Sequence, residues 1–200
     1  MKNFSPFMNE EKEEKAVPPS PAMEEKFLKT RQILLSGEIN EENADRIVKQ
    51  LFLLEADSKD PIYIFIDSPG GDVDAGFAIF DAIRFVDCPV YTIGWGLVAS
   101  AASLILLACP KDHRLGLPNS HYLIHQPLSR MSGVATDIEI HAAEMAKTKA
   151  KLNKIIADET GTNLEKVTED TDRDYWLDAE ESVKYGLISK VISKRQDLKK

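Results

Sequence analysis

Cysteine is scarce in this 200-residue chain: there are 2, Cys88 and Cys109. Their spacing suits neither a zinc site nor a disulfide framework, so a stapled secreted scaffold is not indicated. Both lie in apolar stretches and read as buried thiols of a reducing cytosol, which makes the cytoplasm the expected location. An excess of positive charge is also missing. The formal net charge is −8, which argues against a nucleic-acid or anionic-membrane surface. The longest apolar run, Leu97–Cys109, falls short of the ~20 residues a bilayer span needs, and it contains serines. The opening MKNFSPFMNEEKEEK has no apolar core of a secretory signal. No P-loop, dinucleotide or metal motif is present. The chain itself is therefore expected to bind no metal or cofactor and to hydrolyse no ATP.

What is present suffices for one domain with a sizeable core. Residues 1–22 hold EEKEEK and then VPPSP, and read as a flexible, charged, Pro-rich tail. The body is expected over 23–194, with a C-terminal tail at 195–200. Residues 23–30 read as a short helix and 31–37 as a strand. Glu41–Asp57 carries apolar residues at 44, 47, 48, 51 and 54, a helical stripe. Strand 62–66, a Gly-Gly turn and a helix over 74–85 make one strand–turn–helix unit. Strand 90–95 and helix 100–108 repeat it. Two successive units of this kind put both turns on one edge of a parallel arrangement, which can bring Gly71 near Ser100. Thr136 to Glu139 reads as a capping box that opens a long helix ended by Gly161. That helix spans about 137–159, too long for so small a body to cover, so part of it is expected to project.

Four pieces of this chain carry chemistry. Ser100 lies between the strand 90–95 and the helix that follows, where free N–H groups gather and the helix dipole favours developing negative charge. Gly70-Gly71, in DSPGG after the strand IYIFI, lets the backbone approach a ligand. His125 closes the β-rich run HYLIHQP, and an imidazole is the side chain that takes and returns a proton near neutral pH. Asp174 sits in TDRDYW, before a helix expected from Asp178 to Gly186. Together they supply a nucleophile, a base, an orienting carboxylate and oxyanion donors. Taken singly, each has a plainer role as helix cap, core histidine or turn.

From Met23 to about Lys194 the sequence resembles the proteolytic subunits of the Clp protease family of serine peptidases. The resemblance rests on SPGG before a helix, Gly96-x-x-Ala99-Ser100, LPNSHYLIHQPL (117–128), ATDIEIHA (135–142) and TDRDYWLDAEESVKYGLISKVI (171–192). It implies an α/β fold, a Clp- and crotonase-like spiral of strand–turn–helix units with a projecting handle helix. It also implies that Ser100, His125 and Asp174 form a catalytic triad, with the N–H groups of Gly71 and Ala101 as the oxyanion hole. Two stacked seven-membered rings around a closed chamber are implied as well. A hexameric AAA+ unfoldase would feed the chamber with unfolded protein and spend the ATP. Tyr63, Phe65 and Phe85 match family docking positions for that ATPase. Alternation in strand 62–66 puts Tyr63 and Phe65 on one face, opposite Ile62, Ile64 and Ile66. Core aromatics of a strand covered on both faces remain the alternative.

The chain departs from the family pattern in three places. Around the nucleophile it reads Gly96-Leu97-Val98-Ala99-Ser100-Ala101-Ala102 where Gly-Gln-Ala-Ala-Ser-Met-Gly is usual. The stretch after His125 reads QPLSRMSGVATD (126–137), where the family commonly has a Gly-rich QPLGG…GQATD. The acidic, Pro-rich N-terminus replaces an apolar start that forms axial hairpins in the family. These departures suit a second isoform working in a mixed complex with another Clp subunit. Two other functions remain in view: a weakly active structural partner subunit of such a ring, and a crotonase-type acyl-CoA enzyme using the same backbone oxyanion hole.

Overall fold

The computed structural model describes residues 21–199. A short helix α1 (Pro21–Leu28) leads into strand β1 (Gln32–Ser36), helix α2 (Glu41–Asp57), strand β2 (Ile62–Ser68), helix α3 (Val73–Phe85), strand β3 (Val90–Ala99) and helix α4 (Ala101–Leu106). These are the repeated strand–turn–helix units. Strands β4 (Arg114–Gly116), β5 (His121–Ile124), β6 (Tyr175–Leu177) and β7 (Lys190–Val191) complete the sheet. The remaining helices are α5 (Ala135–Thr160), α6 (Leu164–Asp170) and α7 (Ala179–Tyr185).

The sheet has seven strands in the order β1-β2-β3-β4-β7, with β5 on β3 and β6 on β5. Every pairing is parallel except β5 with β6. Strand β3 serves two partners in turn. Its residues Thr92–Gly94 pair with β4, and Leu97–Ala99 pair with β5. The strand runs to Ala99, past the end expected at residue 95, because β5 takes over where β4 stops. Gly94 and Gly116 make room between them for the ring end of Tyr122, against which a Cβ at either position would collide. Ile62, Ile64 and Ile66 are fully buried, and Tyr63 and Phe65 only partly, as the alternation requires. The main core gathers the inner faces of α2, α3, α4 and the sheet.

The long helix begins at Ala135 with Val134 as its cap, and no side chain caps it. The capping box expected from Thr136 to Glu139 is therefore not formed; Thr136 lies inside the first turn. The helix ends at Gly161 in the left-handed region. Its 26 residues make it about 39 Å long at ~1.5 Å per residue. Only its C-terminal half is buried, at Asn153, Ile156, Ala157 and Thr160. There the Glu159 carboxylate is held between Arg84 and the fully buried Arg114. Ile138 and Ile140 are exposed, so the first half projects.

Strands of two or three residues show no periodicity in a sequence, and β4, β6 and β7 are of this kind. Helix α6 was likewise unmarked. The C-terminal tail expected at 195–200 is, up to residue 199, a short 3-10 turn. Leu198 packs on a second apolar cluster around Ile93, Leu115 and Ile192, and Arg195 donates to Gln32. The N-terminal tail lies outside the described residues up to residue 20; Pro21 and Ala22 already belong to α1.

Candidate active site

The end of β3 sets the position of Ser100. The residue caps α4 with φ +58° and ψ −123°, and its side chain makes no capping bond. A non-glycine residue in this region is strained by ~1–3 kcal/mol and stays there only when its surroundings hold it. The surroundings can be named. The Ser100 N–H donates to Leu123 O at 2.9 Å, and Ser100 O accepts from Ser103 N–H at 2.9 Å. Gly70 (φ +90°) lies against the turn so closely that a Cβ there would be 2.6 Å from both Ala99 O and Ser100 Cβ. The hydroxyl is thus free of cap duty at the start of a buried helix, where backbone N–H groups lack partners.

His125 follows directly on β5, the strand that β3 holds in register through Ala99 and Leu123. It shares a cavity of about 30 Å³ with Ser100, lined also by Val73, Ile124, Pro127 and Leu152. Its Nε2 is buried and unpartnered among the described residues. Its Nδ1 lies 3.5 Å from an Asp174 carboxylate oxygen. The Ser100 hydroxyl and His125 Nε2 are not hydrogen-bonded to each other. Such a bond commonly tightens only when substrate is bound.

Asp174 immediately precedes β6, a strand that lies between it and α7 and that the sequence had not signalled. Its side chain is 65% exposed. The chain on either side is better anchored. Gln126 N–H donates to Thr171 O and its side-chain amide to Asp172 O, both at 2.6 Å. Lys149 of α5 reaches Gln126 at 2.9 Å and Asp172 at 3.2 Å. The loops carrying His125 and Asp174 are thereby tied to each other and to the root of α5.

Gly71 follows the residue that abuts Ser100. Its bridge to Ile39 uses the carbonyl of Gly70 and the N–H of Asp72, so the ladder does not consume the Gly71 N–H. The Ala101 N–H opens α4 and is one of the donors a helix start leaves over. Both donors belong to the two turns that meet at Gly70. Sequence reasoning missed Gly70 itself as the contact residue, because the notion of an oxyanion donor drew attention to its neighbour. It also missed Ser103, which a helical apolar run hides.

No thiol competes for the role of nucleophile. Cys88 and Cys109 are free and buried, and burial pushes the Cys109 thiol up to about 12, leaving it protonated and unreactive. No cluster of metal-ligating side chains occurs among the described residues. No helix among them is long and apolar enough to cross a membrane.

The three aromatic candidates do not form one group within the chain. Tyr63 stacks on Tyr91 at 5.3 Å and Phe65 leans on Trp95 at 5.9 Å, around the second apolar cluster. Phe85, at the end of α3 and 78% exposed, meets Phe52 of α2 edge-on at 6.3 Å. Tyr63 and Phe65 are neither core nor fully exposed, and Phe85 is plainly a surface residue.

The family model described as Clp protease matches residues 19–195. The chain is 62% identical over 197 residues to the ATP-dependent Clp protease proteolytic subunit 2 of Treponema denticola, covering 98% of each. It is 67% identical over 177 residues to the protein of that name in Treponema pallidum, covering 88% of this chain and 89% of that one. Among solved structures, a point mutant of ClpP1 from Listeria monocytogenes superposes with a TM-score of 0.83 at 44% identity, over 88% of this chain and 99% of that one. An acyl-CoA enzyme is not favoured by any of these likenesses. With the spiral of strand–turn–helix units, the projecting α5 and matches across nearly the whole length, the chain belongs to the Clp protease family.

Proposed function

We propose that this chain is a serine endopeptidase subunit that cleaves unfolded polypeptides to short peptides through an acyl-enzyme at Ser100. The observation that carries the reading is the Ser100 turn: an uncapped hydroxyl at a strained strand–helix junction, in the same cavity as an unpartnered His125 Nε2. In the reaction, Ser100 Oγ adds to the scissile carbonyl while its proton passes to His125 Nε2. Asp174 steadies the imidazolium through Nδ1. The carbonyl oxygen gathers negative charge and takes hydrogen bonds from the N–H groups of Gly71 and Ala101, each donor being worth ~3–4 kcal/mol in such sites. His125 then protonates the leaving amine, and water repeats the sequence to free the acid and the serine.

Nothing in these groups selects a sequence. Selection would come from enclosure: two stacked seven-membered rings, made of this chain alone or with a second Clp subunit, and a hexameric AAA+ unfoldase seated on them. The chain needs no cofactor in this scheme, since the unfoldase uses the ATP. The cytoplasm is the compartment that suits it. Tyr63, Phe65 and Phe85 would form the apolar seat of the ATPase. Because Tyr63 and Phe85 belong to separate clusters here, a seat using all three would be completed between neighbouring subunits.

The test is labelling of the purified protein with a fluorophosphonate, beside a fluorogenic-peptide assay and sedimentation analysis. One label per active chain, at Ser100, is expected. Ser100→Ala should lose the label and nearly all hydrolysis while assembling as before. Hydrolysis above a few per cent of the parent in that variant refutes the nucleophile assignment. Tyr63→Ala should lose ATPase-dependent protein degradation and keep peptide cleavage; loss of both, or of assembly, makes Tyr63 a packing residue instead.

A further inference from the structure

The strain at Ser100 needs a clamp, and backbone groups supply only part of it. Ser103 lies one turn further along α4 and is 2% exposed. Its hydroxyl lies 3.0 Å from Val98 O and 2.9 Å from Leu123 O. Val98 is two residues before Ser100, on β3. Leu123 is two residues before His125, on β5. Leu123 O also accepts the Ser100 N–H. One buried side chain therefore spans the strand that delivers the nucleophile and the strand that delivers the base, from the helix that the nucleophile opens. Ser103 also lines the cavity shared by Ser100 and His125.

We infer that Ser103 is a positioning residue that fixes the spacing between Ser100 and His125. The inference rests on the reading of Ser100 and His125 as nucleophile and base. A hydroxyl has one proton, so it donates to the two carbonyls in alternation or shares itself between them. Either way it holds both strand ends close at the point where the β3–β5 ladder finishes. Without it, Leu123 O keeps the Ser100 N–H, but the one side chain that joins Val98 O to Leu123 O in this dry site is lost, and with it a restraint between the two strand ends. The movement available is separation of the two strand ends, which carries His125 away from Ser100. Proton transfer depends steeply on that distance, whereas the Ser103 hydroxyl is taken up by two backbone carbonyls and is not free to bind a substrate. The signature is thus a fall in kcat with KM unchanged.

The experiment compares Ser103→Ala, Ser103→Thr and Ser100→Ala with the parent, all as assembled particles separated by size. Peptide turnover and the rate of fluorophosphonate labelling are both measured. Ser103→Ala is expected to lower kcat and the labelling rate at least tenfold, with KM within twofold. Ser103→Thr, which restores the hydroxyl, should recover at least half of each. Four results would overturn the inference: parent-like kinetics in Ser103→Ala, an effect on KM alone, no recovery with Thr in a particle as heat-stable as the parent, or failure of Ser103→Ala to form particles. An active Ser100→Ala would instead sink the underlying reading, so the two failures are told apart.

Discussion

The nucleophile and the carboxylate of the candidate triad are held in opposite ways. Ser100 sits in a strained turn between a parallel strand and a buried helix, gripped by Leu123, Ser103 and Gly70. Asp174 is 65% exposed and approaches His125 through a single 3.5 Å contact. The first position is over-determined by one chain's own folding. The second is set by a loop whose anchors, Thr171 and Asp172, lie just upstream. The placement of Ser100 should therefore survive changes of surroundings that disturb Asp174. The base lies between these extremes: its strand is fixed by β3, and its side-chain partners are not.

The largest effect that can test this contrast is expected at Gly70. The residue has φ +90°, and an added Cβ would lie 2.6 Å from Ala99 O and Ser100 Cβ. Gly70→Ala combines a strained backbone with a collision against main chain that cannot swing away. The cost is expected at about 3–5 kcal/mol, with loss of peptide hydrolysis and of labelling at Ser100. Thermal melting and fluorophosphonate labelling of the purified variant check it. Parent-like values in both would show that the turn is not tightly determined, and the contrast with Asp174 would fail.

Asp174→Asn should separate rate from stability. An exposed carboxylate pairing at 3.5 Å contributes ~0–1 kcal/mol to folding, so the melting temperature should stay within a couple of degrees of the parent. Turnover should nevertheless fall by ~10²–10⁴, because an amide can settle the imidazole in the wrong tautomer. A drop in stability as large as that of Gly70→Ala would mean that the Asp174 loop is as strongly built as the serine turn. A rate within threefold of the parent would remove Asp174 from the triad.

The same contrast governs what could be read from the sequence. Elements with a clear period were legible: α2 buries Ala44, Ile47, Leu51 and Leu54 of its stripe and half-buries Val48, β2 keeps its alternation, and α5 its length and its stop at Gly161. Local chemistry misled at Thr136, where a capping box was present in letters only; the helix starts two residues earlier than expected, at Ala135, and Val134 caps it. The four candidate motifs were visible as letters, and the comparisons settled the family they belong to. Their support was not visible. Gly70 against Ser100, Ser103 across two strands and Lys149 bridging two loops each join segments far apart in sequence, and no period marks such meetings. The split of Tyr63 and Phe65 from Phe85 was hidden for the same reason, since each residue's neighbours come from other elements.

The smallest effect, and the sharpest probe of the strained side of the comparison, is a change in stability at Ser100 itself. At φ +58° and ψ −123° a side chain costs ~1–3 kcal/mol, and glycine escapes that cost because it has no Cβ. Glycine loses more backbone freedom on folding, by ~0.5–1 kcal/mol relative to alanine. The strain should outweigh the entropy. Ser100→Gly is therefore expected to be more stable than Ser100→Ala by about 1 kcal/mol, with both inactive. The comparison uses two variants lacking the hydroxyl, so neither differs by a hydrogen bond, and the folded backbone needs no rearrangement to accept either. Melting should be followed at equal protomer concentration, since assembly raises the apparent stability of both. If Ser100→Ala is as stable as Ser100→Gly or more so, the turn relaxes when the hydroxyl is removed. The strain would then be a property of the serine side chain and not of the fold that holds it.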